Sequence, residues 1–338
     1  VQCFCYSIKS IPFRRYYMNS NKEFPKRIIV ALGGNAIHPA GIKGTSEEQV
    51  TIAEETADVL LPLLELENEL IITHGNGPGI GKVLMRQALA HKQVAPMSLD
   101  ICVANTQGVT AYLLVQAFEN ALRKAGNQRH VVGLVTQVEV DANDPGFKNP
   151  TKPVGYFYNE KEAEDLTEKM GWTMKEDSGR GWRMVVASPK PKHICDISLV
   201  ESLSSNGTIV IAGGGGGVPV VRNSQGLRSG VEAVIDKDLT TAHMANVLGF
   251  KDIMILTAVS QVAINFGKPE QQELGHITVS EAKRYFEEGQ FPAGSMGPKI
   301  EAAIRFIEGG GKHATIGQLE EAMPALLGKA GTHIFPDQ

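Results

Sequence analysis

The stretch Arg27-Ile-Ile-Val-Ala-Leu-Gly-Gly-Asn35 reads as a short apolar strand that ends in two glycines. Apolar residues at helical spacing follow at about residues 46–66, and a second apolar strand at 70–73 runs into His74-Gly75-Asn76-Gly77. A long helix is predicted at about residues 100–125. Further strand-like runs lie at residues 131–140, 208–212, 252–257 and 313–316. This alternation predicts an α/β fold: a mostly parallel open sheet sandwiched by helices, with ligands bound beyond the carboxyl ends of the strands.

Residues 141–188 interrupt this alternation. The segment is rich in turns, aromatic residues and charges, as in Asn149-Pro-Thr-Lys-Pro153 and Asp177-Ser-Gly-Arg-Gly-Trp182. Such a composition does not suit a strand–helix unit. We therefore expect one domain over residues 26–338 that carries a small inserted lid subdomain at about residues 141–188.

Residues 1–25 are expected to form a leader outside that domain. The first 22 residues carry four basic residues and no acidic one. Basic, acid-free N-termini occur in organelle transit segments, but Met18 is also a candidate translation start. A dispensable leader, a targeting segment and an ordered element all stay open. The expected location is cytoplasmic, with a mitochondrion-like organelle as the alternative if the leader is a transit segment.

The bulk composition argues against several classes of protein. The 338 residues carry a net charge of −4, so there is no overall basic footprint for nucleic acid. No apolar run in the sequence approaches the roughly 18 residues that span a bilayer, so no membrane partner is expected. The four cysteines form no CxxC pair and have no metal-like spacing to histidine. No protein-bound metal site is predicted.

Three glycine clusters are predicted to lie at strand ends. They are Gly33-Gly34-Asn35, Gly75-Asn76-Gly77-Pro78-Gly79-Ile80-Gly81, and Gly213 through Gly217. One cluster alone would be explained by a strand-to-helix turn, whereas three together favour concavities of backbone N–H groups that bind phosphate. The familiar nucleotide fingerprints are absent, because Val83 replaces the Ser or Thr of a P-loop and Ile80 breaks the G-x-G-x-x-G pattern.

The run Phe291-Pro-Ala-Gly-Ser-Met-Gly-Pro-Lys299 precedes a helical pattern that contains Ile300, Ile304 and Ile307. Its glycines allow a close backbone approach, and Pro298 suits the first turn of a helix. Lys299 is therefore predicted to lie at a helix N-terminus, which favours bound anions. A surface turn with a solvated lysine is the alternative.

Two more lysines have unusual surroundings. Val234-Ile-Asp-Lys-Asp238 flanks Lys237 with two aspartates directly before a helix predicted at 239–248. Capping explains Asp238, but a lysine held by a carboxylate and aimed at a phosphoryl group explains the rest better. In Asn149-Pro-Thr-Lys-Pro-Val-Gly155, Lys152 is framed by two prolines. The histidines, His38 and His74 included, are expected to be structural or exposed.

Taken together, these segments resemble the carbamate kinase family within the broader amino acid kinase fold. The matching runs occur in family order over about residues 26–335: Ala31-Leu-Gly-Gly-Asn-Ala36, Thr73-His-Gly-Asn-Gly-Pro78, Asn149-Pro-Thr-Lys-Pro-Val-Gly155, Gly181-Trp-Arg-Met-Val-Val186, Ala187-Ser-Pro-Lys-Pro191, Ala212-Gly-Gly-Gly-Gly216, Gly230-Val-Glu-Ala-Val-Ile-Asp-Lys-Asp238, Ile264-Asn-Phe-Gly-Lys-Pro269 and Gly294-Ser-Met-Gly-Pro-Lys299. The resemblance implies a homodimeric phosphotransferase that moves a phosphoryl group reversibly between ATP and carbamate, the ATP-yielding last step of arginine catabolism.

The resemblance also implies roles for individual residues. Lys152, Lys237, Lys299 and Asp236 would be catalytic, with Asp236 orienting the lysines. Gly33, Gly34, Asn35, Gly75, Asn76 and Gly77 would bind the transferring group and carbamate. Gly213, Gly214 and Gly215 would bind the nucleotide together with Lys237 and Lys299. Mg²⁺ would be held mainly by the phosphates of ATP or ADP.

Ala31 separates the carbamate kinases from their siblings. Other amino acid kinases have a lysine at this position, and the resemblance implies that Lys152 from the lid supplies the missing charge. Gly79, Tyr156 and Ala258 depart from the family pattern and leave the acceptor-site shape, lid packing and nucleotide contacts open. A sibling kinase acting on a carboxylate and a non-catalytic sensor of carbamoyl phosphate or nucleotide are the alternatives.

Overall fold

The computed structural model describes residues 24–39, 42–177, 179–292 and 294–337. Its largest element is an eight-stranded sheet in which neighbouring strands are parallel except for one antiparallel pair, the sixteenth and seventeenth strands of the chain. In spatial order the strands are β15 (His276–Thr278), β17 (Thr332–Phe335), β16 (His313–Gln318), β12 (Asp252–Thr257), β1 (Arg27–Leu32), β2 (Glu69–His74), β9 (Ile209–Ile211) and β3 (Val131–Gly133). The predicted α/β fold with a mostly parallel sheet is confirmed.

The central strands are apolar on both faces because helices cover both sides of the sheet. In β1, Ile28, Val30 and Leu32 point into one hydrophobic cluster, whereas Ile29 and Ala31 point into the other. The first cluster packs against α1 (Ser46–Leu64), α3 (Leu99–Lys124) and α9 (Ala322–Leu326). The second packs against α5 (Ile197–Ser205), α6 (Lys237–Val247), α7 (Val279–Glu287) and α8 (Gly297–Glu308).

Smaller sheets extend from this core. One has the order β11 (Arg228–Gly230), β10 (Val218–Arg222), β4 (Gln137–Val140) and β8 (Pro191–Ile194), and another pairs β13 (Val262–Ile264) with β14 (Gln272–Leu274). The strand predicted at 131–140 is therefore two strands, β3 and β4, that belong to different sheets. The chain changes sheet at residues 134–136, where the Leu134 N–H donates to Ile211 and the Thr136 carbonyl accepts from Val218.

The predicted insert contains a separate antiparallel sheet. Its strands have the order β5 (Lys152–Tyr158), β7 (Trp182–Val186) and β6 (Met174–Glu176), and α4 (Glu160–Met170) links β5 to β6. Strand β5 packs on α2 (Gly77–Ala90). We call this unit the lid sheet; its motion and the exact limits of the insert stay predictions. Most of the predicted leader, residues 1–23, lies outside the described residues.

Within the described chain, α3 is the one helix that is long and apolar enough, by length and composition, to cross a membrane. About half of that apolar window is buried in the protein, and Leu114, Phe118 and Leu122 pack in the core. A core helix meets the same criterion, so the composition of α3 is weak evidence for a membrane span.

Arg129 ties together the edge of the sheet at which the parallel strands begin. Its guanidinium donates to the backbone carbonyls of Leu64, Leu66, Asn68 and Gly207 over 2.6–3.0 Å. Leu64 is the last residue of α1, and that helix has no basic residue in its last turn. Arg129 therefore supplies the positive charge that stabilises the negative end of the helix dipole.

We predict that Arg129→Met lowers the free energy of unfolding by about 3 kcal/mol, because the charge-assisted hydrogen bonds from the guanidinium to four backbone carbonyls are lost. Denaturant unfolding measures this change. Arg284→Met is the control, since the Arg284 side chain is 59% exposed, and its expected effect is below about 0.5 kcal/mol. Equal stability of the two variants would contradict the prediction.

Candidate active site

The candidate site lies at the carboxyl ends of β1 and β2, where two glycine loops meet. Gly33 follows β1, and its N–H donates to the Leu256 carbonyl at 2.9 Å. A Cβ at Gly33 would lie 2.8 Å from that oxygen, so only glycine fits there. A Cβ at Gly75, directly after β2, would lie 3.3 Å from the backbone nitrogen of Gly34. The first two predicted clusters therefore form one continuous glycine-lined surface.

The third cluster packs against the second. Gly213, Gly215, Gly216 and Gly217 all have positive φ, from 64° to 96°. A Cβ at Gly214 would lie 2.2 Å from His74 Nε2, and one at Gly215 would lie 2.2 Å from Asn76 Nδ2. The structure thus places Gly213–Gly215, predicted for the nucleotide, directly beside Asn76, predicted for the carbamate end.

Gln107 holds this third loop and was not among the predicted site residues. Its amide nitrogen donates to the carbonyls of Gly214 (2.7 Å) and Thr136 (3.2 Å), and its amide oxygen accepts from the Thr136 N–H at 2.8 Å. Neighbouring Thr106 accepts from Asn76 Nδ2 at 3.1 Å. Both residues lie in the middle of α3, where the sequence offers no sign that separates them from core-facing polar residues.

Two of the predicted lysines share one carboxylate. Lys237 Nζ lies 2.7 Å from Asp238 Oδ1, and Lys299 Nζ lies 3.1 Å from Asp238 Oδ2. Asp238 is 3% exposed and lies in the first turn of α6, while Lys299 lies in the first turn of α8. The predicted position of Lys299 at a helix N-terminus is what the structure shows.

The third lysine comes from the lid sheet. Lys152, the first residue of β5, places Nζ 2.8 Å from Asp236 Oδ2. The other oxygen of Asp236 accepts from the backbone N–H groups of Asp238 (2.9 Å) and Leu239 (3.3 Å), so Asp236 is the N-cap of α6. One cap residue thus fixes the start of α6 and holds the lid lysine.

The sequence predicted that Asp236 orients the lysines, and the structure divides their direct contacts between two carboxylates. In the described contacts, Asp236 pairs with Lys152, whereas Asp238 holds Lys237 and Lys299. The sequence did not show which aspartate pairs with which lysine. Helix α6 begins at Lys237, two residues before its predicted start, so Asp238 lies inside the helix. Asp238 then resembles any acidic residue in a first helical turn, and only the approach of α8 reveals its second partner.

Burial and ion pairing shift the pKa values of Lys237, Asp238 and Lys299 in opposite directions. Burial lowers the pKa of Lys237, although Asp238 opposes the shift. Burial would also lower the pKa of Lys299, but attraction to Asp238 outweighs it and the pKa is raised. Burial would raise the pKa of Asp238, yet the two lysines bring it well below the ordinary value. Asp238 is therefore an anion that keeps Lys299 protonated at neutral pH.

His74, which the sequence predicted to be either structural or exposed, is buried. Burial lowers the pKa of its imidazole to about 4, and its Nδ1 lies 3.0 Å from the Gly75 carbonyl. The ring is neutral at physiological pH, and Gly214 packs directly against it. It does not add charge to the site.

The site contains three lysines and two aspartates, which leaves a net charge of about +1, and backbone N–H groups at two helix N-termini add positive potential. Both carboxylates are engaged by lysines. Among the described residues there is no group of three or more His, Cys, Asp or Glu side chains that could hold a metal ion. The net positive charge suits anionic ligands.

Comparisons with known proteins show the family to which this chain belongs. A sequence model described as the amino acid kinase family matches residues 26–318. The chain is 48% identical to carbamate kinase of Thermococcus kodakarensis, over 91% of this chain and 99% of that protein, and 42% identical to carbamate kinase of Trichomonas vaginalis, over 92% and 100%. The structure is similar to Giardia lamblia carbamate kinase bound to AMP-PNP, with a TM-score of 0.85, 40% identity, and 93% and 99% of the chains covered. This chain belongs to the amino acid kinase family and, within it, to the carbamate kinases.

Proposed function

We propose that this protein catalyses reversible phosphoryl transfer between carbamoyl phosphate and ADP, giving ATP and carbamate, which decomposes to ammonia and bicarbonate. One observation supports this most directly: three lysines from β5, α6 and α8 are held by the carboxylates of Asp236 and Asp238 at the start of α6. Thr240 of the same helix donates to the Gly216 carbonyl of the third glycine loop at 2.8 Å. Phosphoryl transfer needs little covalent chemistry from a protein and depends on positioning and charge.

The lysines reduce the repulsion between two anionic substrates. As the phosphoryl group passes from one oxygen to the other, negative charge spreads over its three outer oxygens and the bridging oxygens. Lys237 and Lys299, which are paired with Asp238, would stabilise that charge without rearrangement during the reaction. Lys152 supplies a third cation from the lid sheet, as expected if it replaces the lysine that siblings carry at the position of Ala31.

The glycine loops would bind the phosphoryl oxygens through backbone N–H groups. Gly33, Gly34 and Asn35 would lie on one side of the transferring group, with Gly75, Asn76 and Gly77 toward carbamate and Gly213–Gly215 toward the nucleotide. We further propose that Mg²⁺ arrives with the nucleotide and is held by its phosphates, because Asp236 and Asp238 already bind lysines. A homodimer stays a prediction.

A coupled assay tests the function directly. Purified protein given carbamoyl phosphate, ADP and Mg²⁺ should form ATP, measured through hexokinase and glucose-6-phosphate dehydrogenase. Acetylglutamate and glutamate with ATP serve as the sibling substrates. ATP-dependent phosphorylation of either one, without turnover of carbamoyl phosphate, would contradict the proposal.

We predict that Asp238→Asn lowers kcat by at least about two decades, because Lys237 and Lys299 lose the anion that fixes their positive charge, a loss comparable to that of one preorganised donor at roughly 3–4 kcal/mol. Without the carboxylate the pKa of Lys237 falls further, so the residual activity should fall as pH rises, and it should do so at lower pH than in the wild type. Steady-state rates between pH 6 and pH 9 measure both effects.

The control for Asp238→Asn is Asp165→Asn, which removes the charge of a solvent-exposed pair with Lys169 in α4. That variant should keep the wild-type rate and pH profile. Wild-type turnover of Asp238→Asn at all pH values would show that the two lysines do not depend on this carboxylate.

We predict that Lys152→Ala impairs both the affinity for carbamoyl phosphate and turnover, while ADP binding measured alone changes little. The reason is that Lys152 comes from the lid sheet and completes the charge around the transferring group. Lys152→Arg should recover only part of the loss, because a planar fork replaces a compact ammonium. Steady-state kinetics and ADP calorimetry measure these effects, with Lys169→Ala in α4 as the control. Unchanged kinetics in Lys152→Ala would mean that the charge absent at Ala31 comes from elsewhere.

A further inference from the structure

Helix α2 and the lid sheet touch through two glycines, with no side chain between the backbones. A Cβ built on Gly81 of α2 would lie 2.7 Å from the Cα of Gly155 in β5 and 3.3 Å from its carbonyl carbon. Both are backbone atoms, so neither can move aside as the end of a side chain would. At this point, the absence of a side chain sets the distance between the helix and the strand.

Strand β5 is shaped for this contact. Its pairing with β7 shifts register between Val154 and Tyr158, and Gly155 begins the bulge with φ of +78°. Arg183 in β7 donates to the Gly155 carbonyl at 3.1 Å. Gly155 is therefore held from the lid side by Arg183 and supported from the other side by Gly81.

The packing around the two glycines is apolar and dense. Ile80 is fully buried next to Gly81, and Val154 is almost fully buried next to Gly155. Both belong to a hydrophobic cluster that also contains Leu84 of α2 and Trp172 of the lid region. Interiors of this kind transmit a local displacement because they have little free volume to absorb it.

Lys152 lies three residues before Gly155 on the same strand, about 10 Å along it. Its Nζ makes the 2.8 Å contact with Asp236. A shift of β5 away from α2 therefore also moves the start of the strand that carries this lysine.

We propose that Gly81 is a positioning residue for the transfer reaction: by lacking a side chain it sets how closely β5 lies on α2, and thereby where Lys152 places its charge. This inference rests on the proposed function. A methyl group at position 81 would require β5 to move outward by roughly 0.7 Å to reach ordinary contact distance.

The first test is Gly81→Ala. We expect kcat with carbamoyl phosphate to fall about tenfold to a hundredfold, as for a misplacement approaching 1 Å. The Kd for ADP should stay within about twofold, since the nucleotide does not need the lid lysine. Gly108→Ala is the matched control: Gly108 lies within α3, a Cβ there meets no atom within 4 Å, and kcat should not change. Wild-type kcat in Gly81→Ala would overturn the inference.

A double-mutant cycle separates positioning of Lys152 from a general structural effect. If Gly81 acts through Lys152, then adding Gly81→Ala to Lys152→Ala should lower kcat by no more than about twofold. A full additional tenfold loss in that background would overturn the inference. An inactive wild-type protein would instead contradict the proposed function, so the two failures are distinguishable.

Gly155→Asn keeps the inference testable if Gly81→Ala does not fold. A Cβ at Gly155 would lie 3.5 Å from Gly81 Cα, which is an ordinary contact, and asparagine tolerates positive φ. We therefore expect this variant to keep kcat within about fivefold of wild type. A loss of more than about tenfold would show that the bulge conformation, and not the spacing set by Gly81, controls the lysine.

Discussion

The site depends on the two ion pairs that the buried carboxylate of Asp238 makes with Lys237 and Lys299. Lys237 on the same helix and Lys299 on the next would repel each other if brought together without an anion between them. Each lysine alone would also be driven toward its neutral form by burial, as the lowered pKa of Lys237 shows. One aspartate with two oxygens solves both problems. The result is an arrangement of positive charge that the protein holds in place by itself.

The fold makes this arrangement possible by bringing distant parts of the chain to one edge of the sheet. Parallel strands place the ends of β1 and β2 side by side, and helices on one face start at that same edge. Asp236 then links the edge to the lid sheet, because it caps α6 with one oxygen and binds Lys152 with the other. A displacement of Asp236 would therefore change both the cap of α6 and the position of the Lys152 ammonium group.

The glycines of this protein serve different physical purposes even where they are adjacent in sequence. Gly33 allows a backbone hydrogen bond across two strands, and Gly215 takes a positive φ so that the loop can lie against Asn76. Gly81 is part of the same sequence cluster as Gly75, yet it lies inside α2 and contacts the lid sheet. A glycine cluster therefore indicates that another group comes close to the backbone, but it does not identify that group.

The sequence by itself determined the alternation of strands and helices, the places where strands end in glycine, and the three lysines with unusual neighbours. These follow from local properties: apolar periodicity, backbone freedom and the residues beside each charge. Only the tertiary structure decided that β3 and β4 belong to different sheets, that Asp238 joins α6 to α8, and that Gln107 holds the third glycine loop. Each of these features depends on a partner tens of residues away in the sequence. A single buried ion pair or hydrogen bond produces no periodic pattern of residues, so the sequence does not reveal it.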